Sequence, residues 1–172
     1  CVSPTRCSRG AEPIHSITAT TRRVLRAATP DQVREVIGKY MEAWATGNKE
    51  LLLGIFAEDA TWEDPVGSPA FVGHEGVSKF WDFARQGADE GRTISPRIDQ
   101  VIACGNEGIL RFTMQVRVPA QNKGLDLAVV DHFVLNDAGK ITKARAFWDE
   151  GCVGVPAGMD FFAPNIEEAY TQ

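Results

Sequence analysis

The chain has 172 residues, and its 44% hydrophobic and 24% charged residues are typical of one globular domain rather than of a disordered chain or a coiled coil. Its apolar runs are far shorter than the ~20 residues that cross a bilayer, so no membrane segment and no membrane partner are predicted. The net charge is −5, and residues 1–30 hold five arginines and one glutamate, which leaves 13 basic and 22 acidic residues in the rest. Nucleic acid is bound by clustered cations, so this acidic body is not expected to bind it.

Residues 1–30 are rich in Arg, Ser and Thr and show no helical or strand periodicity. They lack the apolar core of a secretory signal, and they cannot bury enough apolar surface to offset the entropy lost on ordering. We expect them to form a disordered leader.

The four cysteines lack the spacing of a metal or redox site. No pair forms a C-x-x-C motif, so neither a metal site nor a thioredoxin-type motif is predicted. A domain of this size can bury a sufficient core without disulfides, which makes a reducing, cytoplasmic location the simpler expectation. A bridge between Cys104 and Cys152 stays open on the sequence alone.

The body begins with two predicted helices. Apolar side chains recur at intervals of three and four residues from Val33 to Trp44, which predicts an amphipathic helix. Asp31 is its expected N-cap and Gly47 its expected stop. Asn48 is expected to begin a second, shorter helix.

The remaining elements indicate an α+β fold. A short strand at 59–63 ends at the Asp64-Pro65 step, and a third helix is expected at 73–85. Four strands follow, separated by turns that contain Gly or Asn, at residues 93–103, 108–118, 125–136 and 140–150. Helices followed by antiparallel strands predict a curved, mainly antiparallel sheet of four or five strands wrapped on about three helices, with room for one apolar pocket.

Asp131 is a polar residue on an otherwise apolar strand face. Strand alternation from Leu127 to Leu135 surrounds it with apolar side chains. An ionised carboxylate buried there would be costly, and a raised pKa would leave a neutral acid that can donate a hydrogen bond. The alternative is an ionised Asp131 that pairs with Arg111 or Arg145 across the sheet. The sequence leaves both open.

Asp64 and Tyr40 are two further candidates for chemistry. Asp64 stands at the end of a strand, before a proline and a glycine turn, where its carboxylate could reach into a pocket and act as a general base. The alternative is an ordinary Asp-Pro turn opener. Tyr40 lies on the apolar stripe of the first helix, where it either directs its hydroxyl to a partner or serves core packing alone.

Five stretches of the body occur together in one order: Gly-Lys-Tyr-Met-Glu-Ala around Tyr40, Phe-Ala-Glu-Asp-Ala-Thr-Trp-Glu-Asp-Pro-Val-Gly-Ser-Pro over 56–69, Phe-Trp at 80–81, Val-Asp-His-Phe at 130–133 and Asn-Asp-Ala-Gly-Lys-Ile-Thr-Lys-Ala-Arg-Ala-Phe-Trp over 136–148. In these stretches the chain resembles the Δ5-3-ketosteroid isomerases, whose cone-shaped α+β fold is shared with polyketide cyclases. The resemblance runs from about Val33 to Cys152. The joint occurrence of the tyrosine, the Glu-Asp-Pro-Val-Gly block and the late aspartate makes it specific.

The resemblance implies an isomerase domain at residues 31–155, a C-terminal tail at 156–172 and a homodimer. It implies a steroid Δ-isomerase that moves a C=C bond from Δ5 to Δ4 of a 3-ketosteroid without a metal or cofactor. Asp64 would take a proton from the carbon α to the ketone and return it two carbons further along. Tyr40 and a protonated Asp131 would donate hydrogen bonds to the oxygen of the intermediate dienolate.

The substrate implied is a small apolar ketosteroid, so the pocket wall should be apolar. Strand alternation and matching position give eight candidates for this wall: Val66, Phe80, Trp81, Phe83, Phe112, Met114, Val116 and Trp148. The alternative for each is plain core packing. Trp81 and Phe56 stand where some family members carry tyrosines behind the catalytic one, and Trp81 could still offer an indole N–H there.

Two other functions remain open on the sequence. One is a polyketide cyclase-like enzyme or an epoxide hydrolase on the same fold, although epoxide hydrolysis needs two acids and an arginine around a water. The other is a non-catalytic module that binds a sterol or another apolar ligand.

Overall fold

The computed structural model describes residues 28–165 and 168–171. The predicted leader therefore lies outside the described residues except for its last three, which belong to the start of the fold. The helices are α1 (Pro30–Thr46), α2 (Lys49–Ile55), α3 (Gly73–Ala84) and α4 (Glu168–Thr171). The strands are β1 (Phe56–Glu63), β2 (Phe71–Val72), β3 (Thr93–Cys104), β4 (Glu107–Val118), β5 (Lys123–Leu135), β6 (Ile141–Phe147), β7 (Val153–Gly154) and β8 (Asp160–Phe161).

Helix α1 starts with a capping box two residues before the predicted cap. The Thr29 hydroxyl accepts a hydrogen bond from the Gln32 backbone N–H, and the Gln32 side chain accepts one from the Thr29 backbone N–H. Asp31 as the N-cap was therefore wrong, because it lies in the first turn, where its charge suits the helix dipole. The predicted stop is confirmed: Gly47 closes the helix in the left-handed conformation, at φ 74°.

The sheet is curved and unclosed, with strand order β2-β1-β6-β5-β4-β3. Strand β1 runs parallel to β6, whereas the pairs β6–β5, β5–β4 and β4–β3 are antiparallel. The short strands β7 and β8 pair with the first residues of β5, beyond the end of β6. The predicted α+β class is confirmed. Within the described residues there are eight strands and four helices, more than expected, because two-residue strands leave no periodic pattern in a sequence.

The helices cover the apolar face of this sheet. Helix α1 packs on β3 and β4, and α3 packs on β1 and β2. On β5 the alternate residues Val129, Asp131, Phe133 and Leu135 are buried, as the alternation predicted. An aromatic cluster joins α1 to the sheet, with the Tyr40 ring centroid 5.0 Å from that of Phe133. One end of the sheet face, towards the start of β5, is left uncovered by α1 and forms a cavity wall.

Two questions raised by the composition are answered for the described part of the chain. None of its helices has both the length and the apolar character needed to cross a membrane. Cys104 and Cys152 are both free thiols, so the bridge that the sequence left open is not formed.

Candidate active site

A cavity of about 640 Å³ lies between the helices, the apolar sheet face and the C-terminal segment. That volume is within the usual range for small-molecule sites. Six of the eight predicted wall residues line it: Phe80, Phe83, Phe112, Met114, Val116 and Trp148. Sequence reasoning missed several apolar residues that line it as well, namely Ile94, Leu125, Leu127 and Val129. All four lie on predicted strands, and the same alternation that placed Phe112 could have placed them.

Val66 and Trp81 are not part of the cavity wall. The backbone N–H of Val66 donates to the carbonyl of Ala146 at 2.8 Å, which joins the turn after β1 to β6. Trp81 is buried below the cavity, with its ring centroid 4.6 Å from that of Trp44. Val66 thus joins the turn after β1 to β6, and Trp81 packs in the aromatic core.

Asp64 lies at the end of β1 and borders the cavity. Its Oδ1 accepts a 2.6 Å hydrogen bond from Nε1 of Trp148, and its backbone carbonyl accepts one from the Tyr170 hydroxyl. The side chain is partly buried, and burial raises the pKa of Asp64 to about 7, although the Trp148 hydrogen bond opposes the shift. A carboxyl group that titrates near neutrality is suited to take up and release a proton.

Asp131 is buried in β5, 2% exposed, between Leu110 of β4 and Ala146 of β6. Among the described residues, neither of its carboxyl oxygens has a hydrogen-bond partner. Burial raises the pKa of Asp131 well above its usual value, the charge of Asp64 adds to the shift, and the Tyr40 hydroxyl opposes it. Burial thus favours the neutral acid form of Asp131, whose O–H would be a hydrogen-bond donor.

The ion pair that the sequence left open for Asp131 is not formed. Arg111 is in register with Val130 and Arg145 with His132, so both arginines lie beside residues that point to the opposite face of β5. Arg145 instead approaches Glu63 at 3.5 Å. His132 bonds Glu107 at 2.9 Å on that same outer face.

Tyr40 borders the cavity from α1 and is 2% exposed. Its ring is held edge-on by three aromatic rings, with centroids at 5.0 Å for Phe133, 6.0 Å for Trp62 and 6.3 Å for Trp44. Burial raises the pKa of Tyr40 well above 10, and the charges of Asp131 and Asp64 raise it further. The phenol therefore keeps its proton and remains a hydrogen-bond donor.

The indole beside the Tyr40 hydroxyl is that of Trp44, which acts to lower the pKa of the phenol. Trp81, considered above for this place, stacks on Trp44 instead. Phe56 stacks on Trp62, at 5.4 Å between ring centroids, one ring further from the phenol. Aromatic packing thus orients Tyr40, at a place where some family members carry further tyrosines.

Sheet topology brings the three candidate residues together from distant parts of the chain. Ala146 of β6 is in register with Asp131 on one side, and its carbonyl binds Val66, two residues after Asp64. Helix α1 lays Tyr40 on the same end of the sheet, against Phe133. Tyr40 and Asp64 thus line one end of an apolar cavity. Asp131 is not part of the cavity lining: its carboxyl group is buried behind it, near enough to Tyr40 and Asp64 to interact with both electrostatically.

The C-terminal segment, predicted as a tail, forms part of the cavity wall. Val155, Phe161, Phe162, Ala163 and Pro164 line the cavity, and β8 attaches the segment to β5. The Tyr170 ring of α4 stacks on Phe71, at 5.4 Å between centroids. The sequence signal for this role was the apolar run from Phe161 to Pro164, because these side chains would be exposed to water in a solvated tail.

The chain is similar to known proteins in sequence and in fold. A steroid Delta-isomerase of Nocardioides simplex is 29% identical over 120 residues, which cover 70% of this chain and 92% of that protein. Two solved structures share the fold. The epoxide hydrolase/cyclase-like enzyme SalBIII, which has a role in pyran ring formation in the polyether salinomycin, has a TM-score of 0.64 at 22% identity, over 73% of this chain and 96% of its own. An LEH-like epoxide hydrolase of M. tuberculosis has a TM-score of 0.60 at 16% identity, over 72% of this chain and 86% of its own.

All three of these relatives are enzymes by name, and the two solved structures share the fold of this chain. The model of the SnoaL-like domain matches residues 37–144, more than half of the chain, and the match includes Tyr40, Asp64 and Asp131. The family resemblance seen in the sequence is therefore confirmed, and the chain belongs to the SnoaL-like domain family.

Proposed function

We propose that the protein is a steroid Δ-isomerase, which moves the C=C bond of a 3-ketosteroid from Δ5 to Δ4. The observation that carries the proposal is Asp131, a buried carboxyl group near the phenol of Tyr40 with no hydrogen-bond partner among the described residues. Burial raises the pKa of Asp131 and so favours the form that can donate a hydrogen bond. Two such donors suit an oxygen that becomes negative during a reaction. The similarity to a steroid Delta-isomerase supports the same assignment.

The reaction needs one base and one stabilised oxyanion. Asp64 as a carboxylate takes a proton from the carbon between the ketone and the double bond, and the electron pair moves onto the ketone oxygen to give a dienolate. Tyr40 and Asp131 donate hydrogen bonds to that oxygen, and because they are fixed in a dry site they need no reorganisation as charge develops. The protonated Asp64 then returns the proton two carbons further along, which restores the ketone and leaves the bond conjugated.

An apolar wall suits a steroid, which has few polar groups. The aromatic and aliphatic residues that line the cavity remove apolar surface from water at roughly 25 cal/mol per Å². The residues assigned to this reaction require no cofactor, so none is proposed. The homodimer and the cytoplasmic location expected above remain predictions.

Epoxide hydrolysis fits the described side chains less well. It needs an arginine between two acids that hold a water, and Asp131 has no arginine beside it. The arginine that does line the cavity, Arg92, lies at the opposite end of the sheet face. A sterol-binding module without catalysis remains the second candidate, because the same cavity would serve it.

The assay is the conjugated-enone absorbance that appears when purified protein is incubated with 5-androstene-3,17-dione. Asp64→Asn should lower kcat by about 10²–10⁴-fold, since the amide cannot accept the proton. Asp59→Asn is the matched control, because Asp59 is an exposed carboxyl on the same strand, and it should leave the rate unchanged. Steroid binding with no spectral change in the wild-type protein would instead support a binding module.

The donor role of Asp131 is tested by two substitutions. Asp131→Ala should lower kcat by about 10²–10³-fold, as expected when one oxyanion donor is lost. Asp131→Asn should be less harmful, because the amide N–H can still donate. Equal losses in the two variants would contradict the donor role, and thermal unfolding of both separates a folding defect from a catalytic one.

A further inference from the structure

Arg92 is a cation in the wall of an otherwise apolar cavity, at the end opposite Asp131. It precedes Thr93, which is in register with Arg117 of β4, and Arg117 is in register with Gly124 of β5. Gly124 and Asp131 are seven residues apart on β5, or about 23 Å along the strand at ~3.3 Å per residue. The backbone positions of Arg92 and Asp131 therefore lie towards opposite ends of the sheet face, and Arg92 and Tyr40 both line the cavity between them.

The Arg92 side chain is fixed but unneutralised. Nη2 donates to the carbonyl of Ala84 at 2.6 Å, and the guanidinium carbon lies 5.6 Å from the ring centroid of Phe162. No carboxylate whose side chain the structure describes pairs with it, and its buried Nε has no acceptor among those side chains or the described backbone. Most of its five N–H groups are thus left for a ligand.

The surroundings make this lack of a counter-ion costly. Burial lowers the pKa of Arg92, and the neighbouring charge of Arg85 lowers it further. A partly desolvated cation next to a second cation gains most from an anion that enters the site. Glu150, the other charged residue at this cavity besides Asp64, is exposed and forms no ion pair with Arg92 in the described chain.

We propose that Arg92 binds a carboxylate that the substrate carries at the end opposite its ketone. The inference rests on the proposed isomerase function and narrows its substrate class to 3-ketosteroids with an acidic side chain. Charge at the two ends also fixes the orientation of such a molecule. Arg92 attracts the carboxylate, while ionised Asp64 repels it, so the ketone is directed towards Tyr40 and Asp131.

The test compares two Δ5-3-ketosteroids, neutral 5-androstene-3,17-dione and 3-oxochol-5-en-24-oic acid, whose side chain ends in a carboxylate. The wild-type protein should have the higher kcat/KM for the acid. In Arg92→Gln the ratio of kcat/KM for the acid to that for the neutral steroid should fall by about 10–100-fold, mainly through KM, as expected for hydrogen bonds to a charged group. Arg97→Gln is the control, because Arg97 is exposed and pairs with Asp99 on the outer face.

A different result is expected if Arg92 has only a structural role, joining α3 to the C-terminal segment. Loss of that contact would lower kcat/KM for both steroids alike and leave their ratio unchanged, which would overturn the proposal. A wild-type protein that does not prefer the acid would overturn it as well. If neither steroid is isomerised, the proposed function fails. Binding of the acid can then be measured by quenching of tryptophan fluorescence. The inference about Arg92 requires that the acid binds more weakly to Arg92→Gln than to the wild-type protein.

Discussion

Asp64 titrates near neutrality because two opposed effects act on one carboxyl group. Burial favours the neutral acid, whereas the 2.6 Å hydrogen bond from Trp148 favours the carboxylate, and burial prevails. We assign the acid limb to Asp64, because burial raises the pKa values of Tyr40 and Asp131 as well and so favours their neutral forms. A single ionisation should therefore control the acid side of the pH profile.

This balance gives a prediction for Trp148→Phe. In the wild-type protein kcat/KM should fall about tenfold per pH unit below pH 7, as the base becomes protonated. The variant loses the donor that stabilises the carboxylate, so the pKa of Asp64 rises and the acid limb moves to higher pH. The measurement is kcat/KM for the neutral steroid from pH 5 to 9. A limb that stays in place would show that Trp148 acts only as part of the wall, whatever happens to KM.

At the residue scale the sequence could predict the identity of the three groups but not their state. Asp131 was recognisable because strand alternation surrounds it with apolar side chains, and that alternation is local. Whether it pairs with an arginine depends on which residues of β4 and β6 stand opposite, and register across strands is not a local property. The same holds for Trp148, whose contact with Asp64 joins residues 84 positions apart.

Among the elements, those with long periodic patterns were predictable and the short ones were not. The stripe from Val33 to Trp44 predicted α1 because most of that helix is decided by its own buried face. Its first residue was missed because Thr29 and Asp31 are both good caps, and the capping box with Gln32 was the signal that distinguishes them. Helix α4 has four residues and no pattern, so its tertiary contacts define it, among them the contact of Tyr170 with Phe71 and Asp64.

That contact makes Tyr170 a positioning residue for the base. Its hydroxyl donates to the backbone carbonyl of Asp64, while its ring stacks on Phe71. Tyr170→Phe keeps the ring and removes the hydrogen bond, so we expect a loss of about 1 kcal/mol in the free energy of unfolding. We also expect kcat for the neutral steroid to fall by about threefold to tenfold with little change in KM, because the base moves but the wall does not.

The control for this prediction is Thr171→Val, since Thr171 is exposed in the same short helix and bonds only the Glu168 carbonyl. It should change neither the stability nor kcat by a comparable amount. A Tyr170→Phe variant with lower stability but wild-type kcat and KM would show that the helix is attached for structure alone.

For the whole molecule, the closure of the cavity was the least predictable feature. The strands β7 and β8 and the run from Phe161 to Pro164 bring the end of the chain back to the start of β5. Contacts of this kind depend on the finished sheet, since the short strands acquire a partner only where β6 ends. The sequence showed apolar residues in the segment, but it did not show which surface they cover.

The active site also sets how the stability of the whole domain depends on pH. The pKa of Asp64 is 3.8 in an unfolded chain and about 7 in the fold, so between these values the unfolded chain is ionised and the folded one protonated. Folding then takes up a proton, the contribution of Asp64 becomes more unfavourable as pH rises from 4 to 7, and above pH 7 it is constant. The full shift corresponds to about 4 kcal/mol, and for a partly exposed side chain we expect about 1–2 kcal/mol.

Asp64→Asn removes this cost while keeping an oxygen that accepts the Trp148 hydrogen bond. Urea denaturation at pH 8 should therefore show the variant to be more stable than the wild-type protein by about 1–2 kcal/mol, and at pH 4 the difference should largely vanish because both folded forms are neutral. Asp59→Asn, at an exposed position of the same strand, should show no such pH dependence. An equal gain in stability at both pH values would mean that the amide packs better than the carboxyl group. No gain at pH 8 would mean that burial does not raise the pKa of Asp64. Either result would contradict a pKa of Asp64 that is raised by its burial in the fold.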